Sequence, residues 1–347
     1  MCPWLIIRQH FIAVNQDPDS LSSKRCDTER AMPLVECVPN VSEGRQPPVI
    51  ELLVAAVRRV PGAHLLDVSS DAVHNRSVLT LVGDGTAMQQ AVLALVEVAE
   101  PAIDLRRHVG VHPRMGAVDV VPFVPLTDAS MDDCVALARD TARALSARHS
   151  LPTYLYAEAA TAPHRLRLDQ LRRGGLTRLA SRMTTRDWAP DFGPAAPHPT
   201  AGVTAVGARP VLIAYNVELS TDRIETATAI ARTVRERDGG LPGVKALGLG
   251  LPDRGIVQVS MTLTNWRHTS IRQAFSAVAE AATRLGAEAT ASEIVGLVPA
   301  AALPPTDAGA IRLRQTDRSP ILEDRLRTAG VLATDLETEA IPGSTSP

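Results

Sequence analysis

The chain has 347 residues, 45% of them hydrophobic and 21% charged, which is the balance of a globular protein long enough for two domains. Its 36 lysines and arginines nearly cancel its 38 aspartates and glutamates, so a formal charge of -2 gives no general attraction to nucleic acid or to an anionic membrane. Aromatic residues, at 3%, are too few for a base-stacking surface, and no apolar run approaches the roughly 18 residues of a membrane span, so neither nucleic acid nor a membrane is expected as a partner.

The chain opens with a segment that lacks the pattern of a folded domain. Residues 1–32 carry a short apolar patch followed by polar and charged residues, without the cleavage site of a signal peptide. We predict a leader that is disordered or that reflects a start codon placed too early. The four cysteines, two of them in this leader, show no Cys-x-x-Cys spacing, which favours reduced thiols and a cytoplasmic protein.

From residue 33, short apolar runs alternate with longer amphipathic segments, as in α/β and α+β domains. A basic stretch, residues 165–182, is interpreted as a helical excursion with one solvated face. Residues 188–202 hold prolines and glycines that exclude helix and central strand, so they are predicted to form a linker or the wall of a functional site. Before these two segments, the spacing predicts strands at residues 34–38, 65–68, 77–82, 117–124 and 153–156, and helices at residues 86–102, at residues 131–148 and over about 12 residues ending at Arg59.

A second unit is predicted to begin at residue 207. Its pattern follows the split βαβ order, strand-helix-strand-strand-helix-strand, and the part of the chain before it shows the same order with additions. We therefore predict an α+β fold of two ferredoxin-like α/β-sandwich subdomains in tandem, at residues 33–206 and 207–332, with a frayed tail at residues 333–347. The elements of the second unit are a strand at 211–215, a helix capped by residues 220–222, strands at 244–249 and 256–263, a helix at 271–285, a strand at 293–297 and a helix at 322–328.

The most informative stretch is residues 109–123, which set a histidine, an arginine and an aspartate in a turn that leads into an apolar strand. Pro113 fixes its own φ and favours extended geometry at the residue before it, while Gly110 and Gly116 permit turns that side chains forbid. His112 on such a turn is a candidate acid/base, because an imidazole with an unperturbed pKa of about 6.5 transfers protons in both directions near neutral pH.

Two other roles are open to this histidine. His112 can hydrogen-bond to the backbone of its own turn instead of serving a cleft. His108 and His112 also have the four-residue spacing of two metal ligands on a helix, although Gly110 and Pro113 argue against a helix here. We expect no metal.

Six separated blocks of the sequence agree with one family in order and spacing. They are residues 35–45 (VECVPNVSEGR), 74–77 (HNRS), 111–119 (VHPRMGAVD), 191–194 (DFGP), 207–209 (GAR) and 292–299 (SEIVGLVP). Any one block is a weak signal, but six without large shifts are specific. From residue 33 to about residue 332 the chain thus resembles the glutamate formimidoyltransferase family.

The resemblance implies an activity: transfer of the formimidoyl group from N-formimidoyl-L-glutamate to the 5-position nitrogen of tetrahydrofolate, late in histidine degradation. It implies tetrahydrofolate as co-substrate, His112 as the catalytic acid/base, an active site between two ferredoxin-like subdomains, and a homodimer. Animal members carry a cyclodeaminase domain after the transferase, and this chain ends before such a domain would fit, so a separate cyclodeaminase is expected. Folate contacts are implied for Gly193, Pro194, Ala195, Ala196, Pro197, His198, Pro199, Thr200, Ala201, Gly202, Gly239, Gly240 and Leu241.

The chemistry requires acid/base and cationic groups. The folate nitrogen attacks the amidine carbon and loses a proton, and the departing glutamate amine gains one, so a single imidazole can serve both transfers. Both reactants carry carboxylates, which guanidinium groups bind well. The candidates for substrate binding are Asn75, Arg76, Arg114, Asp119, Arg209 and Asn216.

Structural roles are open to these candidates as well. Arg114 and Arg209 can pair with structural carboxylates, and Asn75 and Asn216 can satisfy local backbone groups.

Other polar residues in the blocks are assigned different roles. Asp119 or Asp71 can orient the catalytic ring. Glu36 and Glu43 are interpreted as solvated rather than catalytic, and Cys37 is not expected to be a nucleophile, because nothing near it in sequence lowers its pKa.

Three positions depart from the family pattern. Val111 and Ser69 stand where animal members have acidic residues, and Thr262 stands where an asparagine is usual. Two rival functions therefore stay open: formyl transfer linked to folate with N-formylglutamate, and a folate-binding module without catalysis.

Overall fold

The structure is a computed structural model that describes residues 33–110, 114–314 and 319–332. The predicted leader, residues 1–32, and the predicted tail, residues 333–347, lie outside the described residues. The described chain is a mixed α+β protein with a seven-stranded sheet followed by a four-stranded sheet. No helix in these described ranges is long and apolar enough to cross a membrane.

The first sheet has the spatial order β3-β4-β1/β2-β5-β7-β6. Strands β5, β7 and β6 are parallel, and the other pairings are antiparallel. β1 and β2 both lie between β4 and β5. They are two strands rather than one because Pro39, between them, has no N–H to donate to the ladder. The elements are β1 (Val35–Cys37), β2 (Asn40–Val41), α1 (Pro47–Arg58), β3 (His64–Asp71), β4 (Arg76–Gly83), α2 (Gly85–Ala102), β5 (Val118–Pro125), α3 (Met131–His149), β6 (Thr153–Ala157), α4 (Leu168–Leu171), α5 (Gly175–Ala180) and β7 (Thr204–Ala208).

Helices α1, α2 and α3 cover one face of the first sheet. Cys37, Leu79 and Phe123 on this face are fully buried against them, each stabilising the fold by about 1.5–3 kcal/mol relative to exposure. Both long helices begin with a side-chain cap: Asp84 accepts a hydrogen bond from Ala87 N at the start of α2, and Ser130 forms a reciprocal capping box at the start of α3.

The opposite face of the first sheet is covered at its two ends and is polar between them. Helices α4 and α5 pack over β5, β7 and β6, and α9 (Leu322–Thr328), the last helix within the described residues, packs over Leu66, Val82 and Leu126. Side chains alternate along a strand, so residues next to the helix-facing ones point to this second face. We call the polar set on this face the polar strip: Glu36, Arg76, Asp119, Tyr156, Arg172 and Arg209.

The second sheet is fully antiparallel, with the order β11-β8-β10-β9. Helices α6 and α7 pack on one of its faces, where Tyr215, Val217 and Val259 are fully buried. Its element order, strand-helix-strand-strand-helix-strand, is the one that the sequence pattern predicts. The elements are β8 (Ile213–Leu219), α6 (Ile224–Val234), β9 (Val244–Leu251), β10 (Ile256–Leu263), α7 (Ile271–Arg284), β11 (Ala289–Val295), α8 (Asp307–Ala310) and α9.

Two strands of the first sheet are missing from the sequence-based prediction: the two-residue β2 (Asn40–Val41) and β7. β7 (Thr204–Ala208) lies between β5 and β6, and all five of its residues are buried. The strand consists of one valine among small residues, so it lacks the bulky β-branched pattern that marks a strand, and its pairing partners define it instead. β7 also continues past residue 206, the expected boundary between the halves.

Residues 165–182 are helical with an exposed face, as predicted, but the helix is broken in two and not every basic residue is solvated. The segment forms two short helices, α4 and α5, separated at Gly174, whose φ is +86°. Arg165 is buried, donates to Asp191 at 2.5 Å and lies over the ring of Tyr154. This buried pair, rather than solvation, accounts for the first arginine of the stretch.

Three details of the second unit also differ from the prediction. The predicted strand 211–215 is shifted to β8 (Ile213–Leu219), and the predicted strand 293–297 is shifted to β11 (Ala289–Val295), which begins with a bulge. The predicted cap at residues 220–222 is wrong, because the N-cap residue of α6 is Arg223 and makes no side-chain cap. Thr221 accepts a hydrogen bond from Arg223 N instead.

Candidate active site

The expected catalytic histidine, His112, lies outside the described residues, as do its neighbours Val111 and Pro113. Its described flanks are tightly packed. A Cβ added to Gly110 would lie 2.4 Å from the carbonyl oxygen of His74, so a side chain does not fit there. Arg114 donates from Nη1 to the carbonyl oxygen of Gly110 at 3.3 Å.

Asn75 fastens the loops around these flanks. It adopts a positive φ of 50°, which asparagine tolerates better than most residues. Its Oδ1 accepts from Gly44 N at 2.9 Å and its Nδ2 donates to Val109 O at 3.0 Å, while its own carbonyl lies 3.0 Å from His108 Nε2. Both amide atoms of Asn75 are thus hydrogen-bonded to the backbone.

Asp119 is the hub of the polar strip. It is 2% exposed, and its Oδ1 accepts from Met115 N at 2.6 Å and from Gly116 N at 3.2 Å. Its Oδ2 accepts from Nη2 of Arg172. One carboxylate therefore holds both the backbone that follows residues 111–113 and a guanidinium from the end of α4.

Arg172 forms an ion pair with this carboxylate, and Arg76 and Arg114 lie near enough for its charge to act on them. Burial lowers the pKa of Arg76, the positive charge of Arg172 lowers it further, and the charges of Asp119 and Asp71 oppose this shift. Burial likewise lowers the pKa of Arg114, against the charge of Asp119. We call Arg76, Arg114 and Arg172 the arginine cluster. Its positive charge exceeds that of its one buried carboxylate, so the arrangement is suited to binding anions.

Asp71 pairs with His74, and its charge also acts on Arg76. Burial opposes ionisation of Asp71, but hydrogen bonds from the backbone N–H of His74 at 2.8 Å and from its Nδ1 at 2.8 Å outweigh it and lower its pKa. Asp71 keeps 48% of its side chain exposed, and whether it orients the catalytic ring stays a prediction.

Arg209 acts on a different carboxylate from the arginine cluster, although it and Arg172 both act on Tyr156. Its charge acts on Glu36, and its side chain hydrogen-bonds to Tyr156. A Cβ added to Gly207 would lie 2.6 Å from Cδ1 of Tyr156, so the glycine leaves room for the ring. Arg209 also donates to Pro210 O at 3.0 Å, which places it at the start of the connection to the second sheet.

The interpretation of Glu36 and Glu43 as solvated is wrong, since they are 5% and 3% exposed. Burial raises the pKa of Glu36 to about 7, against the charge of Arg209. Glu43 accepts from Arg45 N and Gln46 N at 2.7 and 2.9 Å, so it satisfies free donors before α1.

The cysteines and His108 have no arrangement for nucleophilic or metal chemistry in the described ranges. Cys37 and Cys134 are free and buried, and burial raises the pKa of both thiols. His108 forms a hydrogen bond with a carbonyl group, and burial followed by the charge of Arg114 lowers its pKa. Among the described residues no group of three metal-ligating side chains occurs.

The first expected folate segment, residues 193–202, lies beside the backbone that follows the histidine turn. Ala117 N donates to Ala201 O at 2.9 Å, and a Cβ added to Gly202 would lie 2.2 Å from Met115 O. His198 Nδ1 accepts from Ala201 N at 3.1 Å.

A carboxylate shared by two histidines fixes this segment to the helices. Glu100 on α2 lies 3.4 Å from His198 Nε2 and 2.7 Å from His149 Nδ1, which is at the end of α3. The segment is therefore attached to the helix layer as well as to the sheet.

The second expected folate segment, residues 239–241, follows α6 after one further turn. Gly239 has a φ of +91°, and Leu241 N donates to Val234 O at 3.0 Å. The side chain of Leu241 packs against the core of the second sheet. Four residues later, Lys245 Nζ lies 3.5 Å from Asp169 Oδ1 on α4, so this end of the second sheet adjoins the helix that Arg172 follows.

Asn216 lies on β8, paired across the sheet with Ser260 and Glu293. Its strand neighbours Tyr215 and Val217 are in the core, so its side chain is on the face that α6 and α7 leave uncovered. The structure thus groups Arg76, Arg114 and Asp119, and gives Arg209 and Asn216 other partners.

Sequence reasoning missed Arg172 because the residue lies in none of the six blocks. A signal was present: two glycines follow the paired arginines at 172–173, which indicates a tight turn that can aim a side chain inward. Its partner Asp119 is 53 positions away, however, and no local pattern identifies such a pair.

The fold and the arginine cluster define a tandem two-domain α+β protein whose polar site is suited to carboxylate ligands. The model described as "Formiminotransferase domain, N-terminal subdomain" matches residues 34–209, and the one described as "Formiminotransferase domain" matches residues 214–333. The chain belongs to the formiminotransferase family and is a transferase.

Curated relatives agree with this assignment. The glutamate formimidoyltransferase of Streptococcus pyogenes serotype M1 is 46% identical over 78% of this chain and 90% of its own length. The glutamate formimidoyltransferase of Thermoplasma acidophilum is 43% identical over 86% of this chain and 99% of its own length. The formimidoyltransferase-cyclodeaminase of Rattus norvegicus is 38% identical over 78% of this chain but only 51% of its own length.

Proposed function

We propose that the enzyme transfers the formimidoyl group of N-formimidoyl-L-glutamate to the 5-position nitrogen of tetrahydrofolate, releasing glutamate and 5-formimidoyltetrahydrofolate, in histidine degradation. The observation that carries this proposal is the arginine cluster, in which three guanidinium groups share one buried carboxylate beside the flanks of residue 112. The donor has two carboxylates, which such a cluster binds. The names of the relatives support the same donor.

His112 is the general acid/base in this proposal. The attacking folate nitrogen forms a bond to the amidine carbon, and the imidazole removes its proton. The same proton passes to the glutamate nitrogen as the bond from carbon to that nitrogen breaks, so the ring returns to its neutral state. The described flanks support this role, because Arg114 and Gly110 attach the segment that contains His112 directly to the cationic site.

The active site lies between two ferredoxin-like halves, the first running from residue 33 to the end of β7 at Ala208 and the second from there to residue 332, with the leader and tail outside them. The spatial orders of the strands support this organisation, as does the contact between Lys245 and Asp169 beside the arginine cluster. Residues 193–202 and 239–241 contact folate in this proposal. The position of the first segment beside Met115 supports its assignment.

The relatives support two further points. Prokaryotic relatives are matched over nearly their full length, whereas the animal relative is matched over about half, so we assign the cyclodeaminase step to a separate protein. The enzyme works as a cytoplasmic homodimer without a metal in this proposal.

The test is an assay of the purified enzyme with tetrahydrofolate and either N-formimidoyl-L-glutamate or N-formyl-L-glutamate, with the folate product identified by mass spectrometry. We expect 5-formimidoyltetrahydrofolate from the first donor and little product from the second. A preference for the formyl donor would replace the proposed substrate. Folate binding without turnover of either donor would identify a non-catalytic folate-binding module.

A further inference from the structure

Arg172 occupies a defined position in the arginine cluster although no family block contains it. It directly follows α4, and the next turn is closed by Gly175 N, which donates to Arg172 O at 2.9 Å. Leu171 beside it is 1% exposed in the cluster of apolar residues under α4 and α5. The packed leucine and the glycine turn together hold the guanidinium over the polar strip.

One donor of Arg172 has no partner among the described residues. Its Nη2 donates to Asp119, while its Nε is buried and has no hydrogen-bond partner within the described part of the chain. Its side chain is 15% exposed, so the group is largely removed from water. A guanidinium with a buried unsatisfied donor is costly unless a ligand supplies the acceptor.

The surrounding charges favour an anion at this point. The positive charges of Arg76 and Arg172 are close enough to repel each other, and the negative charge of Asp119 acts on both Arg76 and Arg114. Both oxygens of Asp119 are already occupied by Met115, Gly116 and Arg172. Asp119 and Asp71 offset part of the repulsion between these guanidinium groups, and a ligand carboxylate would add a further negative charge beside them.

The geometry of the reactants selects which carboxylate this is. In N-formimidoyl-L-glutamate the reacting amidine nitrogen is bonded to the α-carbon, and the α-carboxylate is attached to the same carbon. In tetrahydrofolate the aminobenzoyl group separates the reacting nitrogen from the glutamate carboxylates. Asp119 joins Arg172 to Met115, three positions from His112, so a carboxylate bound here lies near the reacting carbon.

We propose that Arg172 binds the α-carboxylate of the glutamate donor and sets the specificity of the enzyme for it. This assignment rests on the proposed function. It replaces Arg209 as the predicted ligand of the donor, because Arg209 interacts with Glu36 and Tyr156. The charges of Arg76 and Arg114, which lie near the carboxylate of Asp119, favour the side-chain carboxylate of the donor. The guanidinium of Arg172 can bind the α-carboxylate on the part of the side chain that stays exposed, while Asp119 keeps its own hydrogen bond.

The test compares three ligands on three enzymes. The ligands are N-formimidoyl-L-glutamate and its two monoamides, with the carboxamide on either the α or the side-chain position. The enzymes are wild type, Arg172→Gln and Arg167→Gln. Arg167 belongs to the same segment, pairs with Asp169 and is 47% exposed, so it is the matched control. Donor binding is measured by calorimetry and turnover by KM and kcat.

We expect Arg172→Gln to weaken donor binding and raise its KM by about 10- to 100-fold, with the KM for tetrahydrofolate unchanged. Wild type should discriminate strongly against the α-amide, and the variant should lose that discrimination while still rejecting the side-chain amide. If Arg172 only stabilised the fold, its loss would not abolish discrimination against the α-amide while leaving discrimination against the side-chain amide intact. Arg172→Lys, which keeps the charge beside Asp119, serves if the glutamine variant unfolds, and should show the same selective loss.

Equal losses for both amides, an effect on the folate KM alone, or an effect shared by Arg167→Gln would overturn the assignment. The proposed function fails separately, when wild type transfers no formimidoyl group to tetrahydrofolate. Calorimetric binding of N-formimidoyl-L-glutamate tests Arg172 in either case.

Discussion

Replacing Asp119 by asparagine tests whether this carboxylate holds the site together. In Asp119→Asn the side chain would keep one oxygen for the N–H groups of Met115 and Gly116, but its amide nitrogen would point a donor at the donors of Arg172. Leaving one partner of a buried ion pair without its counter-charge costs about 3–5 kcal/mol. Because Arg172 keeps 15% of its side chain exposed and regains some hydration, we expect the lower end, about 3 kcal/mol.

The assay is urea unfolding of wild type and Asp119→Asn, with the midpoint and slope of each transition compared. Asp169→Asn is the control, because Asp169 makes an ion pair with Arg167 while 41% exposed, and its loss should cost less than about 1 kcal/mol. If Asp119→Asn is as stable as the control, Asp119 does not hold Arg172 and the backbone of Met115 and Gly116 together as described.

Two further variants test the buried acid and the close backbone packing. Glu36 has a pKa raised from 4.5 to about 7, so its contribution to stability is complete below pH 4.5 and is lost as pH rises through about 7. As pH rises from about 5 to about 8, the free energy of unfolding of Glu36→Gln should therefore increase by about 2–3 kcal/mol relative to wild type. The control Glu97→Gln, at an exposed position, should show no such increase. If wild type and Glu36→Gln have parallel profiles of unfolding free energy against pH, Glu36 is not a buried acid. A Cβ on Gly116 would lie 2.1 Å from a backbone oxygen, so Gly116→Ala should lower the free energy of unfolding by about 1–3 kcal/mol, while Gly250→Ala, with open space around it, should not; equal midpoints would contradict the packing described here.

Elements with a strong local pattern were predictable from the sequence. The helical spacing of Met88, Val92 and Leu95 predicts α2 within one residue of its observed start, because these positions form its buried face. β7 was not predictable, because its small residues carry no strand pattern and its place is defined by parallel pairing with β5 and β6.

The site was predictable as a set of charged residue types but not as a geometry. Arg114 and Asp119 lie in one block with His112, so sequence proximity was sufficient to associate them. The distinction between Arg172 and Arg209 depends on which arginine the tertiary fold brings to Asp119, and the paired positions are 53 residues apart. The burial of Glu36 likewise follows from its place in the middle of a sheet, which its sequence neighbours do not reveal.

The central claim is that one imidazole moves the proton during formimidoyl transfer, and the most direct test is the turnover of His112→Ala. The variant should fold and bind tetrahydrofolate as wild type does, as measured by thermal unfolding and calorimetry. Its kcat with N-formimidoyl-L-glutamate should fall on the order of 100-fold or more, as expected for loss of a general acid/base. A His112→Ala enzyme that turns over at the wild-type rate would contradict the mechanism.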